Sequence, residues 1–155
     1  MKIIDVLKQK GETVFTVKSN TSALDAVAVM DENKIGAVIV LDKKDAVVGI
    51  LSERDVLYKC YNSGKQLTDQ TVNNLMTGVE DLLIGDMDDT AKELMNVMLY
   101  RKIRHIPIIE NEQIVAIVSV EDILKMMLDS LENEGHLLRQ HIKNPMGIHT
   151  YKKEK

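Results

Sequence analysis

Apolar and polar positions alternate along this chain in two rhythms, and both rhythms return. Val14 to Val17 reads as a short strand. Behind Ser22, the residues Ala23, Ala26, Val27 and Met30 fall at i, i+3, i+4 and i+7, one stripe of a helix. Ala37 to Leu41 is an unbroken apolar run, Asp42 to Asp45 a tight polar turn, and Ala46 to Leu51 the returning strand of a hairpin. A helix then opens after Ser52. The same order recurs as a strand over Leu82 to Ile84 and a helix behind Thr90 with the stripe Ala91, Leu94, Met95 and Met98. A strand over His105 to Ile109, a turn over Glu110 to Gln113, a strand over Ile114 to Val118 and a helix after Ser119 complete it. Ser22 and Thr90 are each followed three residues later by an acid, Asp25 and Glu93, the spacing of a capping box. The pattern predicts an α+β fold of order β-α-β-β-α, twice.

The two halves also match residue by residue. Ala23 corresponds to Ala91, Met30 to Met98 and Lys34-Ile35 to Lys102-Ile103. After one deletion in the turn, Val48 corresponds to Val115 and Ile50 to Ile117, and Ser52, Asp55 and Leu57 to Ser119, Asp122 and Leu124. Upstream, Ile3 to Leu7 faces Val72 to Met76 more weakly. A spacing of about 67 residues exceeds that of common solenoid repeats. Two small units packed on each other are expected, because neither sheet buries enough surface alone. The division is residues 1–62 and 71–132, a polar linker at 63–70 around Gly64, and an extension at 133–155. In that extension His136 to Ile142 is expected to add a turn or two, ahead of a basic tail.

Composition narrows the function. A net charge of −4 and 3% aromatic residues argue against nucleic acid, which requires a basic face and stacking platforms. No run of about 18 apolar residues is present, so no membrane span is expected. The single cysteine, Cys60, allows no intrachain disulfide and fits a reducing cytoplasm. His136, His141 and His149 lack a paired i, i+4 metal-ligand spacing, and no Gly-rich phosphate loop follows any strand, so no metal site or catalytic cofactor is expected.

The candidate chemistry lies in two strand-to-helix corners, Gly49-Ile50-Leu51-Ser52-Glu53-Arg54-Asp55 and Ala116-Ile117-Val118-Ser119-Val120-Glu121-Asp122. Ser-x-x-Asp at a helix start is first of all a cap. It also suits a sugar phosphate. The helix N-terminus favours the phosphate, the serine hydroxyl adds a hydrogen bond, and the carboxylate accepts from vicinal ribose hydroxyls. Arg54 adds a cation to the first corner, whereas Glu121 stands in its place in the second. Unequal sites follow from that difference. The acids Glu80, Asp81, Asp86, Asp88 and Asp89 would disfavour phosphate wherever they faced a cleft.

The repeated corner, the strand starts Lys34-Ile35-Gly36-Ala37 and Lys102-Ile103-Arg104-His105-Ile106-Pro107, and the doubling together resemble a tandem pair of CBS (cystathionine-β-synthase) domains over Ile3 to Leu128. The resemblance implies pseudo-twofold packing, two clefts between the repeats and an adenine nucleotide as ligand: AMP, ADP or ATP, with NAD or S-adenosylmethionine as alternatives. Carried over by position, it nominates Thr16, Val17, Ile35, Gly36, Ala37, Ser52, Arg54 and Asp55. From the second repeat it nominates Leu83, Ile84, Arg104, His105, Ile106, Pro107, Ser119 and Asp122. It implies a regulatory module rather than an enzyme, acting in trans on an effector protein through a homodimer. A structural or adaptor dimer without ligand sensing is the alternative.

Overall fold

The structure, a computed structural model, describes residues 1–11 and 13–134. Helix α1 (Ile3–Lys10) leads into β1 (Thr16–Lys18), α2 (Ala23–Glu32), β2 (Ala37–Leu41), β3 (Val47–Ser52) and α3 (Glu53–Ser63). Then come α4 (Val72–Leu75), β4 (Thr77–Gly78), β5 (Gly85–Asp86), α5 (Ala91–Arg101), β6 (His105–Glu110), β7 (Gln113–Ser119) and α6 (Val120–Glu134). The turns expected over His136 to Ile142 and the basic tail lie outside the described residues. None of the helices described is long and apolar enough to cross a membrane.

Two sheets form, ordered β1-β2-β3-β4 and β5-β6-β7. In each, the first strand runs parallel to the second and the hairpin behind it is antiparallel. The β2–β3 turn is tied by the Asp42 carboxylate, which accepts from the Lys44 and Ala46 amides. The β6–β7 turn places Asn111 and Glu112 at φ 49° and 63°, the left-handed pair that matches strand twist.

The unbroken apolar run in β2 has a direct cause: both faces of its sheet are buried. Val38 and Val40 face the helices α2 and α3 in a core with Ala23, Ala26, Met30, Leu51 and Val56. Ala37 and Ile39, one residue out of phase, meet Ile50, Ile117 and Leu82 between the two sheets. The second repeat has its own helix-side core around Leu94, Met98, Ile108, Val118 and Ile123.

The short helices ahead of the repeats are exchanged. Ile3, Val6 and Leu7 of α1 belong to the core of the second repeat, while Val72 and Leu75 of α4 belong to that of the first. Backbone hydrogen bonds fix both dockings: the Ile3 amide donates to the Asp89 carbonyl at 2.9 Å, and the Val72 amide to the Thr21 carbonyl at 2.9 Å. The weak upstream match between Ile3–Leu7 and Val72–Met76 thus marks equivalent helices, each lent to the opposite unit.

Two local expectations change. The strand expected at Leu82 to Ile84 forms instead at Gly85–Asp86, because Leu82 turns into the inter-sheet core and Leu83 into a cleft, while Ile84 stays exposed. The first sheet gains β4, which the repeat pattern does not contain. Gly49 makes room for it, since a Cβ there would run into the Thr77 carbonyl. Among the described residues the equivalent Ala116 has no fourth strand beside it, and it keeps its methyl group in the core.

Candidate functional site

Each corner is built as a reciprocal cap. The Ser52 amide and hydroxyl donate to Asp55 Oδ2 at 3.0 and 2.7 Å, and the Asp55 amide donates back to Ser52 Oγ at 3.2 Å. In the second corner the Ser119 amide and hydroxyl donate to Asp122 Oδ2, both at 2.7 Å, and the Asp122 amide returns a bond of 3.2 Å. The first amide of each helix, Glu53 or Val120, donates to the carbonyl of the facing strand start, Gly36 or Arg104, at 3.0 Å. Corner and strand start are therefore locked within one repeat.

The clefts form between repeats. One, of about 270 Å³, joins the Ser52–Asp55 corner to Thr77, Asp81 to Leu83 and the strand start Lys102 to His105. The other, of about 550 Å³, joins the Ser119–Asp122 corner to Lys10, Thr13, Phe15 and the strand start Lys34 to Ala37. The first lies just below, and the second within, the range of about 300–1,000 Å³ usual for small-molecule sites. Each takes its corner from one repeat and a strand start from the other.

Both carboxylates meet a lysine that the sequence pattern did not single out. Lys59 Nζ lies 3.0 Å from Asp55 Oδ1, which also accepts from Thr77 Oγ1 at 3.1 Å. Lys10, at the end of the exchanged helix α1, donates to Asp122 Oδ2 and to the Ile117 carbonyl. The second corner was expected to lack a cation; Lys10 supplies one from outside its own repeat. The available signal was the upstream match, which carried two residues past Thr77 sets Lys10 opposite Val79 in repeat register. Burial alone would raise the Asp122 carboxyl, but Lys10 and Ser119 hold it below the ordinary carboxylate range.

The nominated residues divide. Ser52, Arg54, Asp55 and Leu83 line the smaller cleft; Ile35, Ala37, Ser119 and Asp122 line the larger; Gly36, Arg104 and His105 line both. Thr16 and Ile84 are exposed and line neither, whereas Val17, Ile106 and Pro107 are buried in strands. Thr13 and Phe15 line the larger cleft where Thr16 and Val17 were nominated. Arg54 Nη1 donates to the Lys102 carbonyl at 2.6 Å, capping α5 from across the cleft. Of the five acids ahead of the second repeat, Asp81 lines a cleft. Asp86 and Asp89 accept from backbone amides, and Asp88 pairs with Lys2 at 2.8 Å.

Gly36 and His105 meet where the clefts adjoin. A Cβ on Gly36 would lie 2.8 Å from the His105 imidazole. Burial, and then the positive charges of Arg104 and Lys10, lower the His105 pKa to about 4, so the ring is neutral near pH 7. Among the described residues no cluster of three His, Cys, Asp or Glu side chains is placed to hold a metal ion.

Paired sheets, exchanged helices and a cleft at each joint define a tandem-repeat module of two α+β units. The CBS domain family matches the chain twice, over residues 11–62 and 74–129, and the chain belongs to that family. A CBS-domain containing protein from Agrobacterium tumefaciens superimposes with a TM-score of 0.75 at 32% identity, covering 81% of this chain and 92% of its own. CBSX2, solved in complex with AMP, gives a TM-score of 0.64 at 21% identity, covering 83% of this chain and 97% of its own. The CBS domain pair of MJ0100 is solved with 5′-methylthioadenosine and S-adenosyl-L-methionine. It gives a TM-score of 0.69 at 22% identity, covering 82% of this chain and 99% of its own. At the identities of these last two the likeness is one of fold.

Proposed function

We propose that this chain is a regulatory module that binds an adenosyl ligand, AMP, ADP or ATP first among them, in its inter-repeat clefts and acts in trans on an effector protein. The observation that carries the reading is the carboxylate–serine corner at the floor of each cleft. The Asp55 and Asp122 side chains keep 16% and 21% exposure, enough for a ligand to reach oxygens otherwise shielded from water. A ribose hydroxyl donating to Asp55 would replace Thr77 or Lys59, and the freed lysine would stand beside the phosphate. The AMP, methylthioadenosine and S-adenosylmethionine complexes of the two fold relatives support the same ligand class. The reading involves no catalytic step.

Asp55→Ala tests it. Loss of the ribose acceptor is expected to weaken AMP or ATP binding by about 1–3 kcal/mol, the scale of a hydrogen bond to a charged group. Calorimetry on a variant whose circular dichroism is unchanged gives the answer, and equal affinity would remove the assignment.

A homodimer is the proposed route of output. On α3, Val56 faces the core, whereas Leu57 and Tyr61 are exposed. On α6, Ile123 is buried, whereas Leu124, Met127, Leu128 and Leu131 are exposed. Among the described residues both closing helices thus present an apolar face without a partner, the arrangement a second copy can match symmetrically. Leu137, Leu138 and Ile142, which would offer cover from the same chain, lie outside the described residues. Light scattering at tens of micromolar protein is expected to give twice the chain mass; a species of 17.5 kDa with and without nucleotide would exclude this route.

A further inference from the structure

The two clefts share a wall made by Gly36, Glu53, Arg104 and His105, each of which lines both. Among the described residues Arg104 is the one cationic side chain common to the two, because His105 is neutral near pH 7. The duplication is broken at this point. The counterpart of Arg104 is Gly36, where a side chain would meet the His105 ring. A symmetric pair would carry two guanidinium groups here; this chain carries one.

The other cations of the described lining each belong to one cleft: Arg54, Lys59 and Lys102 to the smaller, Lys10 and Lys34 to the larger. Lys10 is held by Asp122 and the Ile117 carbonyl, Lys34 pairs with Asp31, Lys59 with Asp55, and Arg54 donates to the Lys102 carbonyl. Arg104 is half exposed, and the ionic neighbour seen for it is Glu53 at 4.0 Å, the outer limit of an ion pair. Its long side chain is therefore able to turn toward either cleft.

We propose that Arg104 serves both clefts but only one bound phosphate at a time, so that anionic ligands in the two clefts compete for a single guanidinium. This rests on the adenosyl reading above and gives the pair a built-in negative coupling. A phosphate in one cleft draws Arg104 to itself, and the second phosphate then binds without it. A phosphate-free adenosyl ligand in the second cleft escapes the penalty, so mixed occupancy is favoured over two phosphorylated ligands.

Single-cleft variants make the test. Asp55→Ala leaves the larger cleft able to bind, and Asp122→Ala the smaller. AMP is titrated into each, with and without Arg104→Gln, and adenosine serves as the phosphate-free probe. Arg104→Gln is expected to weaken AMP about tenfold in both single-cleft backgrounds, the scale of one charged hydrogen bond. In the otherwise unaltered protein the product of the two AMP association constants should also fall only about tenfold, because only one phosphate holds the arginine. Adenosine binding should not change, which also reports that the fold is intact. A loss in one single-cleft background alone would assign Arg104 to that cleft, and a loss of about a hundredfold in the two-site product would mean it serves both at once. Either result overturns the proposal. Failure of the unaltered protein to bind either AMP or adenosine would instead remove the adenosyl reading, and this inference with it.

Discussion

Ile3→Ala is expected to destabilise the protein by about 2–5 kcal/mol, the cost of truncating a fully buried aliphatic side chain. Ile3 is the third residue of the sequence, yet it is 0% exposed and sits in the core of the second repeat. A typical domain of this size has about 5–15 kcal/mol to lose, so the effect is a large share of the total. The exchange of α1 and α4 adds a qualitative expectation. Each repeat completes its core with a helix from the other, so neither core closes alone. Urea denaturation should remain a single transition moved to lower concentration. Hydrogen exchange followed by mass spectrometry should speed up in peptides of both repeats, Val38 to Leu51 as well as Ile106 to Val118. Faster exchange confined to the second repeat, or a stability change below about 0.5 kcal/mol, would show that the lent helix does not couple the halves.

Acid should destabilise the fold through His105. In the unfolded chain a histidine takes up its proton near pH 6.5, whereas the folded ring does so at about 4. Between those values the unfolded state binds more protons, so stability falls as pH is lowered through that window and levels off below it. The full difference is on the order of 3 kcal/mol. Burial is the main cause; Arg104, Lys10 and Arg54 reinforce it and Asp122 opposes it. The depressed Asp122 carboxyl makes its own contribution above the ordinary aspartate pKa and loses it only as pH falls below that value, so the two effects separate. Urea melts from pH 7 to pH 4 are the measurement. His105→Gln should flatten the slope relative to the unaltered protein, and identical slopes would mean that the folded ring titrates normally.

Much of this was readable in the sequence because it depends on neighbours along the chain. The caps Ser22, Thr90, Ser52 and Ser119 lie within three residues of the groups they bond. The apolar stripes on α2 and α5 and the hairpin turns follow from helical and strand periodicity alone. The doubling was legible as a register of identities, and with it the two corners. Boundaries shifted where a residue answered to a distant partner. Leu82 left its expected strand for the inter-sheet core, and β4 formed because Gly49 leaves space beside β3.

The sequence by itself determined two α+β repeats, the capped corners that begin their closing helices, and the family to which they belong, since each is written in local spacing or in repetition. Tertiary structure alone decided which halves meet. It moved α1 and α4 to opposite cores, set each corner against the strand start of the other repeat, and delivered Lys10 to Asp122 across 112 positions of chain. It also brought Gly36 and His105 together, so that among the described residues Arg104 is the one arginine lining both clefts. No periodicity encodes such contacts. They arise because two small sheets that cannot bury their faces separately bury them against each other, and whatever side chains line that joint become the site.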